Sequence, residues 1–117
     1  MKKGDIFKAN DNFRQDGAIH PIIFWEMQDQ ATFKGLMITH STGYGNIDLS
    51  EGSYFENSMT DFTTTNFVVA LLLKPVDWLV NPNVLGKLSS TGIAYLEANG
   101  VDQLTPLSWQ QYLKPKI

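Results

Sequence analysis

Only two side chains in the sequence have an ordinary pKa close to neutral, His20 and His40, and imidazole is the group best suited to give or take a proton there. His40 stands in the run Thr39-His40-Ser41. Its two neighbouring hydroxyls can donate hydrogen bonds to a phosphate, although Ser and Thr after a strand are also ordinary turn formers. Tyr44 follows between Gly43 and Gly45, where a ring can stack on a nucleic-acid base or pack back over the fold. Two imidazoles held close can divide acid and base work, as transesterification of a phosphodiester permits; the plain alternative is a pair of unrelated histidines. The chain has no cysteine, which removes disulfides, thiol nucleophiles and thiolate metal sites. Two histidines exclude a three-histidine zinc site, and no spacing links Glu26 and Asp29 to other ligands, so neither metal nor cofactor is expected.

Positioning these groups falls mainly to strands. Asp5-Ile6-Phe7-Lys8 reads as a short strand, followed by a loop from Asn10 to Gly17 rich in turn formers. Ile19 to Met27 is a stronger strand in which Pro21 is tolerable only near the start or at an edge. Ala31 to Thr39 gives a third, His40 to Gly45 is turn chemistry, and Ile47 to Phe55 holds at most short strand pieces. The apolar run Asn66 to Lys74 reads as a core strand buried on both faces, with helix as the alternative. After Pro82 the pattern turns helical. Ser89 or Ser90 caps a helix through Ala98, Gly92 weakens it, and Gly100 provides a left-handed stop. Thr105-Pro106 reads as a cap and first helical position, starting a second helix over 106–114.

At 117 residues the chain has room for one domain, residues 1–117, and 43% apolar against 18% charged residues is enough to build a core without staples. Asp5 interrupts the N-terminus before an apolar stretch can form a secretion signal, which points to the cytoplasm. The longest apolar run, Phe67 to Leu73, is far short of the roughly 20 residues that a membrane-spanning helix needs. The net charge of −3 is uneven: residues 35–73 carry four carboxylates (Asp48, Glu51, Glu56, Asp61) and no basic side chain. Any affinity for RNA must come from cations such as Lys8, Arg14, Lys34 and Lys74, and should be weak and steeply reduced by salt.

Several stretches, in order, resemble the MazF/PemK family of toxin endoribonucleases. Gly4-Asp5-Ile6 is similar to the family's opening strand, and Gly17 through Phe24 (GAIHPIIF) to its second strand, which carries Arg-Pro. Met37-Ile38-Thr39 resembles the end of its third strand, Val68 to Asp77 a later strand and turn, and Leu85 to Ser89 the approach to its helix. The likeness covers about residues 4–98. It implies an α+β, mainly β fold: a small SH3-like barrel of about five strands with two C-terminal helices. It also implies a homodimer that cuts single-stranded RNA without a metal, the 2′-hydroxyl attacking the adjacent phosphate, and that is neutralised by an antitoxin protein.

On that resemblance the catalytic pair is His20, in the place of the family arginine before proline, and Thr39. His40, Ser41, Tyr44, Arg14 and Lys74 are the substrate-binding candidates, with Lys74 where the family usually has an arginine. Leu71 occupies a strand position that is acidic in many members. Histidine for arginine exchanges a permanent planar charge for a group titrating near neutrality. These departures leave a catalytically silent barrel, binding a protein, peptide or nucleic acid, as the alternative reading, with a structural or phage-type interaction protein as a third.

Overall fold

The computed structural model describes residues 2–8, 21–39, 46–56, 67–68, 71–75, 84 and 86–107, and for Lys8, Phe67 and residues 73–75 only the backbone. Among these residues the fold is mainly β with one α-helix. The strand segments are β1 (Asp5–Lys8), β2 (Pro21–Met27), β3 (Thr32–Thr39), β4 (Ile47–Asp48), β5 (Phe67–Val68), β6 (Leu72–Pro75) and β7 (Gly86–Lys87), and the helix is α1 (Ser90–Ala98). All pairings between them are antiparallel, in the order β4-β5-β3-β2-β1-β7, with β6 also on β3.

The middle of the sheet is apolar on both sides because β2 and β3 have almost no polar alternation. Along β2, Ile23 and Trp25 enter the main core with Ile6, Leu36, Ile38, Val68, Leu71, Leu88 and Leu96. Ile22 and Phe24 face the other way, into a second cluster with Phe7 and Phe33. Each such side chain contributes about 1.5–3 kcal/mol on burial, so β2 is fixed in the centre of the sheet and Pro21 is admitted only because it opens the strand.

Two register shifts shape the sheet. Phe24 pairs with Gly35 but Glu26 with Lys34, so Trp25 is an extra residue, a bulge that keeps its ring in the core while the strand turns outward to exposed Glu26 and Met27. The Trp25 Nε1–H donates to Asp102 Oδ1 at 2.8 Å, and Lys3 Nζ lies 4.6 Å from the ring centroid. Gly35 is bare for want of room: a Cβ there would meet Ile22 Cδ1 at 2.8 Å and Phe33 Cε2 at 2.9 Å.

The expected strand over 66–74 is divided. Phe67–Val68 pairs with Thr39 and Ile38, whereas Leu72–Pro75 pairs with Gly35 through Thr32 in a register shifted by one. Buried Leu71 and Leu72 sit on opposite sides of the sheet at this step, Leu71 in the main core and Leu72 against Met37. Helix, the alternative for this run, is absent from its described residues. The segment β7 was not anticipated, since Gly86-Lys87 has no hydrophobic pattern to mark it.

Helix α1 begins and ends as its residues dictate. Ser89 is the N-cap, its hydroxyl accepting from the Gly92 N–H at 3.0 Å, and Gly100 is left-handed with φ 81°. Gly92, by contrast, is no defect: a Cβ there would lie 2.2 Å from the Tyr54 carbonyl oxygen, so the helix can reach this backbone only without a side chain. The start of the second expected helix is corrected. Leu107 is extended, its N–H donating to the Leu71 carbonyl at 2.7 Å in a bridge with Leu72, because its side chain covers Met37 and Leu72 on the outer face. Residues 108–114 lie outside the described residues.

After β4, the short 3-10 turn Gly52–Tyr54 leads the chain to the β7 edge of the sheet. Phe55 bridges Leu88, Glu56 N–H donates to Lys87 O at 3.0 Å, and Ser89 N–H donates to Tyr54 O at 2.8 Å. One stretch, 47–56, therefore begins as β4, at one end of the strand order, where it bonds to β5, and at its other end bonds to β7, the opposite end of that order.

Candidate functional site

Register gathers a set of residues at one end of the sheet. Ile22 pairs with Met37 and the two strands run antiparallel, so the beginning of β2 at Pro21 lies beside the end of β3 at Ile38 and Thr39. Lys8, the last residue of β1, pairs with Pro21 on the far side. On the near side Thr39 pairs with Phe67, and Phe67 with Asp48.

Faces follow from the neighbouring row. Ile38, Val68 and Ile47 pair across the same three strands and all pack on the main core. Successive residues of a strand alternate in direction. Thr39 and Asp48, each one residue along from this row, therefore belong to the opposite face, and Thr39 is half-buried and Asp48 exposed there. Two strand spacings separate Thr39 from Asp48, about 10 Å.

Asp48 is held at both ends. Its Oδ1 accepts the Ser50 N–H at 2.9 Å, and its carbonyl accepts the Tyr95 hydroxyl. The Tyr95 ring in turn stacks on Tyr54 with centroids 4.2 Å apart. The Ser50 hydroxyl, and then the Ser50 backbone N–H, hold the Asp48 carboxyl below the usual carboxylate range. Burial first, then the proximity of Tyr54 and Asp48, push the Tyr95 phenol up. At neutral pH this end of the sheet thus carries, besides Thr39, a fixed, ionised carboxylate able to accept from N–H or O–H groups.

The candidates are distributed as follows. Thr39 occupies the end of β3 described above. His20, His40, Ser41, Tyr44 and Arg14 lie outside the described residues. The Lys74 backbone pairs with Phe33, at the hairpin end of β3, about 20 Å along the strand from Thr39. Lys34, also at that end, has its Nζ 3.1 Å from Glu26 Oε1. Leu71 is 1% exposed in the main core, a place for an apolar side chain. Asp48 was missed. Sequence counts it among the carboxylates of the acidic centre, and only strand register brings it into line with Thr39.

Among the described residues no group of three His, Asp or Glu side chains could hold a metal ion, and no helix is long and apolar enough to cross a membrane. Comparison with family models, with curated proteins and with solved structures finds no match for this chain.

Proposed function

We propose that this chain is a toxin-like, metal-independent endoribonuclease of the MazF/PemK type, acting on single-stranded RNA at the sheet end that carries Thr39. The observation that supports it is the β2–β3 register: Pro21, the residue after His20, opens β2 beside the Ile38–Thr39 end of β3. Thr39, one of the two residues given catalytic roles by resemblance, thereby lies on the strand end beside the residue that follows the other in sequence. In this reading the 2′-hydroxyl attacks the adjacent phosphorus and the bond to the leaving 5′-oxygen breaks, giving a 2′,3′-cyclic phosphate and a 5′-hydroxyl. His20 carries the proton, and the Thr39 hydroxyl donates to a phosphate oxygen on which charge develops.

The same reading makes the sheet a small SH3-like barrel. Its support is the stretch 47–56, which bonds to β5 at one end and to β7 at the other, as a strand closing a curled sheet would. A homodimer, a cytoplasmic location and an antitoxin that covers the site complete the proposal. Light scattering should give twice the chain mass of 13.2 kDa across the micromolar range.

The test is cleavage of a mixed single-stranded RNA pool by purified protein in EDTA. Cleavage should persist without metal, change in rate between about pH 5.5 and 7.5 as an imidazole titrates, fall steeply in His20→Ala and less in Thr39→Ala. RNA left intact, or cut equally by His20→Ala, would overturn the catalytic reading. A barrel that binds without cutting would then replace it, a reading favoured by the apolar burial of Leu71 where many family members carry an acid.

A further inference from the structure

The site's chemistry does not end with the phosphate, because the row that holds Thr39 ends on a carboxylate. Asp48 is exposed, its backbone tied to α1 through Tyr95 and its side chain oriented by the Ser50 N–H. It lies two strands from Thr39 on the same face, about 10 Å away. That separation suits the reach from a phosphate to the hydrogen-bonding edge of a nearby unstacked base.

Building on the ribonuclease reading above, we infer that Asp48 is a specificity-determining residue that selects guanine. The two oxygens of a carboxylate are acceptors only. Guanine presents two adjacent donors on its Watson–Crick edge, N1–H and the N2 amino group, which a carboxylate can engage together. Adenine and cytosine each place one amino donor beside a ring-nitrogen acceptor, and uracil places one N–H between two carbonyls. Against Asp48 each of these brings a lone pair toward a negative oxygen. The Oδ1 bond to Ser50 N–H does not prevent this, since each carboxylate oxygen accepts more than one hydrogen bond. A role as general base suits Asp48 poorly, because the Ser50 contacts weaken it as a proton acceptor at neutral pH. It also adds no phosphate affinity. Its work is discrimination, set by which donors a base offers.

The test uses uridine-rich oligoribonucleotides carrying a single guanosine, inosine or adenosine, with cleavage and equilibrium binding both measured for the wild type and for Asp48→Asn. Asparagine keeps the size and can still accept from Ser50, but turns one acceptor into a donor facing guanine's donors. The wild type should prefer guanosine over adenosine by tenfold or more, with inosine, which lacks the N2 amino group, in between. Asp48→Asn should bring the three within about twofold while its circular dichroism spectrum and melting temperature stay close to the wild type. A wild type that cuts RNA without preferring guanosine, or an Asp48→Asn variant that keeps the preference, overturns the role of Asp48 and leaves the ribonuclease reading standing. If the wild type binds without cutting, the binding ratios decide in the same way. A protein that neither cuts nor binds any of the three removes the ribonuclease reading and this inference with it.

Discussion

Replacing Gly92 by alanine should destabilise the protein, although on helix propensity alone it should help. Alanine is favoured over glycine inside a helix by about 1 kcal/mol. In α1, however, the added Cβ would lie 2.2 Å from Tyr54 O and 3.0 Å from Tyr54 C, about 1 Å short of an ordinary C···O contact. Both groups are backbone, so no rotamer change relieves the clash. Helix and turn must separate, and that stretches the Ser89 N–H bond to Tyr54 O and the Ser89 hydroxyl bond to Ser53 O, 2.8 and 2.6 Å long. Overpacking costs about 1–3 kcal/mol and each weakened hydrogen bond up to about 1 kcal/mol. Set against the propensity gain, the net loss is about 2 kcal/mol, a fall in melting temperature of roughly 8 °C for a domain of this size. Urea unfolding followed by circular dichroism measures it, with the m-value unchanged if the unfolded state is unaffected. Thr91→Ala, on an exposed position one residue earlier, is the control and should be neutral or slightly stabilising. A Gly92→Ala variant as stable as the wild type, or more so, would refute the argument that close backbone approach selects this glycine.

Ser89→Ala removes the N-cap acceptor of Gly92 N–H and the donor to Ser53 O, and should cost about 1–2 kcal/mol in urea unfolding. Asp102→Ala strips the buried Trp25 indole N–H of its acceptor and should cost about 1–3 kcal/mol, with Asp102→Asn costing less because an amide oxygen can still accept; unfolding followed by tryptophan fluorescence distinguishes them. Asp29 accepts from the Thr32 hydroxyl and the Ala31 and Thr32 N–H groups, which hold its carboxyl below the usual carboxylate range. Its contribution is therefore present above about pH 4 and lost as pH falls through the lowered folded value, so Asp29→Asn should flatten part of the acid limb of a stability–pH profile, and an unchanged limb would contradict this.

How much of the fold could be read in advance depends on where the determining information lies. Strands β1, β2 and β3 are legible because continuous apolar and β-branched runs end at turn formers, and α1 because Ser89 and Gly100 mark its ends chemically. The break between β5 and β6 is not. Its cause is a one-residue slip against β3, a relation between distant segments that no local pattern within 66–74 encodes. Gly92 shows the same limit with the sign reversed. Within its own helix it reads as a weakness, and only the Tyr54 carbonyl, brought in by the turn that follows β4, makes it a requirement. Thr105-Pro106 fails for a related reason: cap and proline are compatible with a helix start, but burying Leu107 against Met37 and Leu72 draws the chain out into an extended bridge.

The candidate site divides along the same line. Thr39 could be singled out because it closes a strand beside His40 and Ser41, all neighbours in sequence. Asp48 could not, because what distinguishes it from Glu51 or Glu56 is its position opposite Phe67, itself opposite Thr39. A carboxylate in an acidic stretch reads as solvated surface until register gives it a neighbour. The elements fixing that neighbour are the ones that also hold the fold together: Tyr95 on α1 ties down the Asp48 backbone, and α1 sits where it does because Gly92 admits Tyr54. Substitutions at Gly92 should accordingly disturb base selection at Asp48 before they disturb the Thr39 end of β3, whose position depends on its pairing with β2 and β5.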